Sequence, residues 1–213
     1  MYTIKEVYFT IQGEGFHTGR SAVFLRFTGC NLWTGHEKNR QNAICDFCDT
    51  DFVGTDGPGG GKFLDSNELA NHVYLKWPSN AKTVPFVVCT GGEPLLQLDD
   101  SLIMALHAKG FEIAVETNGT IDPPNGIDWL CVSPKGNSEL KILKGNELKL
   151  VYPQKAIDPS EYEDLDFDYF SLQPLDNDKL KENTQKTIKY CSLHPHWRLS
   201  LQTHKFLGIP CLL

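Results

Sequence analysis

Seven short runs, most of them β-branched or aromatic, recur along this chain, at 22–27, 86–89, 112–116, 129–132, 148–152, 169–172 and 198–201, and several close on Gly, Pro, Ser or Asn. Helical patterns separate them. Asp65 with Glu68 three residues on gives a capping-box signature for a helix over 68–77, which Pro78 stops. A second helix is expected over 100–109, with Leu102, Ala105, Leu106 and Ala108 on or near one face and Gly110 as its stop, and a third over 179–193, ending near Pro195. Such alternation builds a parallel sheet whose chemistry sits on loops at the carboxyl ends of the strands. Eight full β/α units take roughly 250 residues, more than the 213 present. The expected fold is therefore α/β, an incomplete TIM-like β/α barrel formed by residues 1–213 as one domain. Residues 2–10 are a candidate edge strand, and 54–62, with five glycines, reads as a flexible loop within that domain.

A formal net charge of -7 argues against a general electrostatic grip on nucleic acid or on an anionic membrane, so small molecules are the expected partners. No apolar run approaches the roughly 20 residues of a spanning helix, and the opening residues lack a signal-peptide pattern. A cytoplasmic location is expected. The seven cysteines are an odd number in a chain without a secretory signal, which favours metal binding over disulfides for any tight group. Cys30, Cys45 and Cys48 form the only such group, spaced C-x14-C-x2-C after the first predicted strand.

Two cysteines separated by two residues suit zinc as well as an iron–sulfur cluster. A structural zinc would need a fourth ligand, and His36 in the insert is available for it. A cubane held by three cysteines would instead leave one iron open. Downstream, the run 86–89 leads into Thr90, Gly91, Gly92, Glu93 and Pro94, where glycines expose backbone to a closely approaching ligand. The next strands end in Glu116-Thr117-Asn118-Gly119 and in Ser133-Pro134-Lys135, so polar residues crown successive strand ends. Cys89 and Cys131, inside predicted strands, read as small buried hydrophobes.

A three-cysteine motif after the first strand and GGEP after the second resemble the radical S-adenosylmethionine (SAM) superfamily, although the first cysteine gap is longer than that superfamily's common one. More narrowly, QGEG, RFTGCNLW, CDFCDTDFVGTDG, CTGGEPLLQLD, ETNGT, VSPK, KGNELKLVYP, QPLD and RLSLQTHK, in this order, resemble the 7-carboxy-7-deazaguanine synthases of long cysteine spacing over nearly the whole chain. The resemblance implies a partial barrel of the radical SAM type. It also implies a [4Fe-4S] cluster on Cys30, Cys45 and Cys48, whose open iron chelates SAM. The reduced cluster would cleave SAM to a 5′-deoxyadenosyl radical that abstracts the C6 hydrogen of 6-carboxy-5,6,7,8-tetrahydropterin. Ring contraction and loss of ammonia would then give 7-carboxy-7-deazaguanine, a step towards queuosine.

By the same resemblance, SAM would lie against Phe47, Gly92, Ser133, Pro134, Lys135, Gln173, Pro174, Leu175 and Asp176, with Gly91, Gly92 and Glu93 near its methionyl amino group. The pterin would be held by Ile11, Gln12, Gly13, Glu14, Arg26 and Thr90, with His204 and Pro210 close by. The planar fork of Arg26 suits a carboxylate; its alternative reading is a pair with a surface acid. Thr50 would bind Mg2+, with Asp49 as rival ligand. A flavodoxin or ferredoxin as electron donor and a homodimer complete the expectation. The rival readings are another radical SAM enzyme, such as a glycyl-radical activase, and a zinc-stabilised binding module without catalysis.

Overall fold

The computed structural model describes residues 1–209, and Pro210 and Cys211 lie outside them. Nine strands form one sheet in the order β3-β1-β2-β4-β5-β6-β7-β8-β9. They are β1 (Tyr2–Ile11), β2 (Ser21–Phe27), β3 (Gly61–Phe63), β4 (Phe86–Gly91), β5 (Glu112–Thr117), β6 (Trp129–Val132), β7 (Lys144–Tyr152), β8 (Asp166–Pro174) and β9 (Trp197–Leu199). Pairing is parallel from β2 through β9, while β1 runs antiparallel to both β2 and β3. The sheet is a partial β/α barrel that does not close strand to strand.

Period-two patterning assigns the two faces of each strand. Val23, Leu25 and Phe27 of β2, Val87 and Cys89 of β4, and Leu148 and Leu150 of β7 are buried in the main core. Helices α1 (Ser66–Tyr74) and α2 (Asp100–Ala108) contribute Leu69, Val73, Leu102 and Leu106 to it. Helix α3 (Leu180–Leu193) packs across β8 and β9. The opposite residues face the barrel interior, and there Tyr8, Phe24, Phe86, Val88 and Ala114 form a smaller apolar cluster below a polar upper zone.

Four expectations need correcting. Residues 2–10 do not make an edge strand, since the short β3 pairs along the outer side of β1. The glycine-rich stretch is laid tightly on β1: Val7 N–H donates to Pro58 O at 2.8 Å and Gly57 N–H to Lys5 O at 3.1 Å. A Cβ at Gly60 would stand 2.1 Å from Lys5 O, so the glycines there permit close backbone approach rather than flexibility. The first helix ends at Tyr74 and not at Trp77, because tight turns from Val73 O to Lys76 N–H and from Tyr74 O to Trp77 N–H take over. On α2, Ile103 is buried where Ala108 was expected, and Ala108 is exposed.

The gap in the barrel is spanned by the loop between β1 and β2. Its Gly13 carbonyl accepts from Thr203 N–H at 2.9 Å and Thr203 Oγ1 at 2.8 Å. Gly15 N–H donates to Ser200 Oγ at 2.9 Å, and Phe16 N–H donates to Glu147 at 3.1 Å. Phe16 then stacks on Trp129 at 4.8 Å and lies against Tyr169 at 4.3 Å, plugging the amino-terminal end of the barrel with aromatic rings. A short helix α4 (Thr203–Leu207), missed in the sequence because it spans only five residues, follows β9 and meets this loop.

Candidate active site

The carboxyl ends of the parallel strands surround a cavity of about 220 Å³. Cys30, Cys45, Phe47, Cys48 and Thr50 line it from the loop after β2. Thr90 and Gly92 come from the end of β4, Ser133 and Lys135 from the end of β6, and Gln173, Pro174, Leu175 and Asp176 from the end of β8. Ile11, Gln12, Gly13 and Glu14 enter on the bridging loop, Arg26 on β2 and His204 on α4. Pro134 is not on the wall; its carbonyl accepts from Gln154 Nε2 at 3.4 Å. Pro210 lies outside the described residues.

Around the cysteines, Leu32 N–H donates to Cys30 Sγ at 3.4 Å. Burial pushes the Cys30 thiol up, while the amides of Leu32 and Trp33 oppose that shift. Cys48 is pulled down to about 7, chiefly because the Cys45 thiol donates to it. Cys45 itself is pushed far up by that hydrogen bond and by burial. His36 is exposed and off the wall, so it does not complete a tetrahedral set with the thiols. Among the described residues, no three His, Cys, Asp or Glu side chains are arranged to hold a single metal ion. Three thiols without a fourth protein ligand suit a cubane with one open iron better than zinc.

The glycine turn exposes backbone for a steric reason. Gly91 adopts φ 139°, and a Cβ at Gly92 would stand 2.2 Å from Gly29 O and 2.9 Å from the Cys30 Cβ. Glu93 stands apart from the cavity: fully buried, it accepts from Thr117 Oγ1 at 2.8 Å, Asn118 N–H at 2.8 Å and Leu95 N–H at 3.0 Å. Its carboxylate ties the ends of β4 and β5 together. G92A is expected to push the cysteine loop away, because the obstructing atom is backbone, and to weaken SAM binding by at least about tenfold, ~1.4 kcal/mol. Equilibrium dialysis of the two proteins checks this, and an alanine variant binding SAM as tightly as the parent removes the glycine's role.

The polar interior holds an ion network that sequence reading missed. Lys149 Nζ donates to Glu14 Oε2 at 2.7 Å and to Glu116 Oε1 at 3.4 Å. Gln12 Nε2 donates to Glu116 Oε1 at 3.1 Å, and Thr90 Oγ1 to Glu116 Oε2 at 3.4 Å. Burial alone would raise the Glu14 carboxyl, but Lys149 and Gln202 hold it down to about 2. Both carboxylates line the cavity as acceptors. Cys131, read as a plain core cysteine, is buried but sits on the inner face and lines the same cavity, where burial pushes its thiol well up and leaves it inert.

Arg26 pairs with an acid, though not a surface one: its Nε donates at 2.7 Å to Glu6, which is 2% exposed and stands opposite it across β1 and β2. Asp49 is engaged by Lys205 of α4 at 2.8 Å and by Gln202, just before that helix, at 3.2 Å, and Lys205 also reaches Asp176 at 2.6 Å. The Thr50 hydroxyl makes no hydrogen bond among the described residues. His204 is buried beside Gly13, where a Cβ would stand 2.2 Å from its Nδ1, and burial lowers its basicity so that it is neutral near pH 7.

An open, mostly parallel β/α barrel that gathers three cysteines and a glycine turn at its strand ends is the frame of the radical SAM enzymes. No family model matches the chain. It is 59% identical to the 7-carboxy-7-deazaguanine synthase of Bradyrhizobium diazoefficiens over 98% of this chain and 99% of that one, and 56% identical to that of Caulobacter vibrioides over the same shares. The crystal structure of QueE from Escherichia coli superposes with a TM-score of 0.68 at 27% identity, covering 95% of this chain and 94% of that one. The chain belongs to the 7-carboxy-7-deazaguanine synthase family, radical SAM lyases of queuosine biosynthesis that use a [4Fe-4S] cluster and SAM. No helix among the described residues is long and apolar enough to cross a membrane.

Proposed function

We propose that the chain converts 6-carboxy-5,6,7,8-tetrahydropterin to 7-carboxy-7-deazaguanine with loss of ammonia. The observation that carries the reading is the presence, in one cavity, of a three-thiol wall and a Glu14–Lys149–Glu116 network suited to the N–H donors of a pterin ring. The cluster and SAM, when bound, supply hydrogen-atom abstraction. Cys30, Cys45 and Cys48 hold the cluster, and Phe47, Gly92, Ser133, Lys135 and the 173–176 turn hold SAM. Glu14 and Glu116 accept the ring N–H groups, Gln12 and Thr90 orient Glu116, and neutral His204 adds a hydrogen-bonding imidazole. Arg26 keeps its charge while bonded to Glu6, and its Nη1, which makes no hydrogen bond among the described residues, faces the substrate carboxylate.

Mg2+ is held by the Thr50 hydroxyl and that carboxylate, because Asp49 is already paired with Lys205. Thr50→Ala is expected to keep iron and SAM binding while lowering turnover most at low Mg2+; full activity there would remove the metal assignment. An acidic carrier such as a flavodoxin or ferredoxin delivers the electron, and the enzyme works as a cytoplasmic homodimer. The deciding experiment is an anaerobic assay with SAM, dithionite, Mg2+ and the pterin, beside iron and sulfide analysis. Deazapurine with about four irons per chain supports the reading; a loaded cluster that cleaves SAM and leaves the pterin untouched overturns the substrate.

A further inference from the structure

The cavity of about 220 Å³ is small for the two ligands proposed for it. A site for one drug-sized ligand usually runs to about 300–1,000 Å³, and this one has to take SAM together with a pterin, so part of its wall must move. Around most of the mouth the wall is made by the ends of parallel strands, which backbone ladders hold to one another. The exception is the side that closes the barrel gap, where α4 follows the last strand. Its start is anchored by Thr203, which donates to Gly13 O, and by His204, which packs on Gly13. Beyond that anchor Phe206 and Leu207 are largely exposed and add little to the core.

The charged link across the mouth is a single ammonium. Lys205 Nζ donates to Asp49 Oδ2 at 2.8 Å and to Asp176 Oδ2 at 2.6 Å. Asp49 follows Cys48 on the cysteine loop and Asp176 follows β8, so the two carboxylates stand on different flanks of the mouth, and all three residues line the cavity. Gln202 adds a neutral link, donating to Glu14 at 3.0 Å and to Asp49 at 3.2 Å. The side chains of Lys205, Asp49 and Asp176 are 25%, 45% and 30% exposed, and ion pairs that water reaches contribute little and weaken with salt. The strongest tie on this side is therefore one that opens readily. We propose that Lys205 is a clasp on the cavity mouth, which lets go of Asp49 and Asp176 to admit SAM and closes on them again once the ligand is seated. The inference rests on the cavity being the SAM site. Lys205 is a positioning residue and takes no part in bond making.

The test compares Lys205→Met with the parent, both reconstituted and kept oxidised so that SAM is bound but not cleaved. Radiolabelled SAM is followed by rapid filtration for uptake and by chase with unlabelled SAM for release. Entry and exit both wait for the open form, so the variant is expected to take up and release SAM about three- to tenfold faster, the range for losing partly exposed ion pairs, with its affinity nearly unchanged. Added KCl should raise both rates in the parent and not in the variant. Equal rates in the two proteins at every salt concentration overturn the inference, as does faster release alone, which would make Lys205 a contact to SAM. Should the variant fail to load its cluster, the salt series on the parent decides: both rates rising together is expected, and release that does not quicken with salt overturns the clasp. A loaded parent that takes up no SAM would sink the SAM reading, and the clasp with it.

Discussion

Lys149→Met is expected to cost about 3–5 kcal/mol of stability, the range for removing one partner of a buried ion pair, and to raise the KM for the pterin far more than it changes SAM binding. Methionine fills nearly the same volume, so the loss is electrostatic. Two carboxylates, Glu14 and Glu116, would remain in the cavity without the ammonium that now sits 2.7 Å and 3.4 Å from them. The sign with pH follows from Glu14. In the parent it is held at about 2, below its ordinary 4.5, so it contributes stability above pH 4.5 that is lost as pH falls through about 2. Without Lys149 burial dominates, the carboxyl moves above 4.5, and its contribution at neutral pH becomes a penalty that acid relieves. Urea denaturation from pH 7 downward should therefore show the gap between the proteins narrowing. A constant gap would contradict the proposed coupling, and adding Glu14→Gln should recover part of the lost stability.

Cys48→Ala should reduce bound iron from about four per chain, the content of one cubane, to near zero, and abolish turnover. The metal-free parent supplies an independent check. With Cys48 at about 7 and Cys45 pushed far up, alkylation near neutral pH should fall first on Cys48. Cys89→Ala is the control: Cys89 is fully buried in the main core, pushed up to about 12 by burial, and its loss should leave iron loading intact. Equal iron in Cys48→Ala and the parent would move the cluster elsewhere.

All seven parallel strands were legible in the sequence, because most are compact β-branched or aromatic runs and several have a clear stop. The cysteine loop and the glycine turn were legible because metal chemistry and close backbone approach demand those residues at those spacings. The Lys149–Glu116 network was not. Its signal lay in KGNELKLVYP, where Glu147 and Lys149 stand two apart in an otherwise apolar strand and so share one face, and in EIAVET, whose next-to-last residue is Glu116. Charges repeated with period two in a buried strand mark a polar barrel interior, but which of them meet depends on sheet order. The Arg26–Glu6 pair was hidden for a related reason: a bulge between Ile4 and Glu6 shifts the register that puts them opposite each other. Helix α4 left no usable pattern, since five residues are too few for a helical period to show.

The bridging loop sets an order in time. Strand pairs from β4 to β9 join neighbours along the chain, whereas the contacts of residues 13–15 with Thr203 and Ser200 span 190 and 185 positions. Contacts that far apart carry the largest loop-closure cost and form late. A ribosome that has just finished β8 therefore holds most of a sheet but not the side of the pocket that Gln202, His204 and Lys205 supply, and the pocket is complete only once synthesis has passed Lys205.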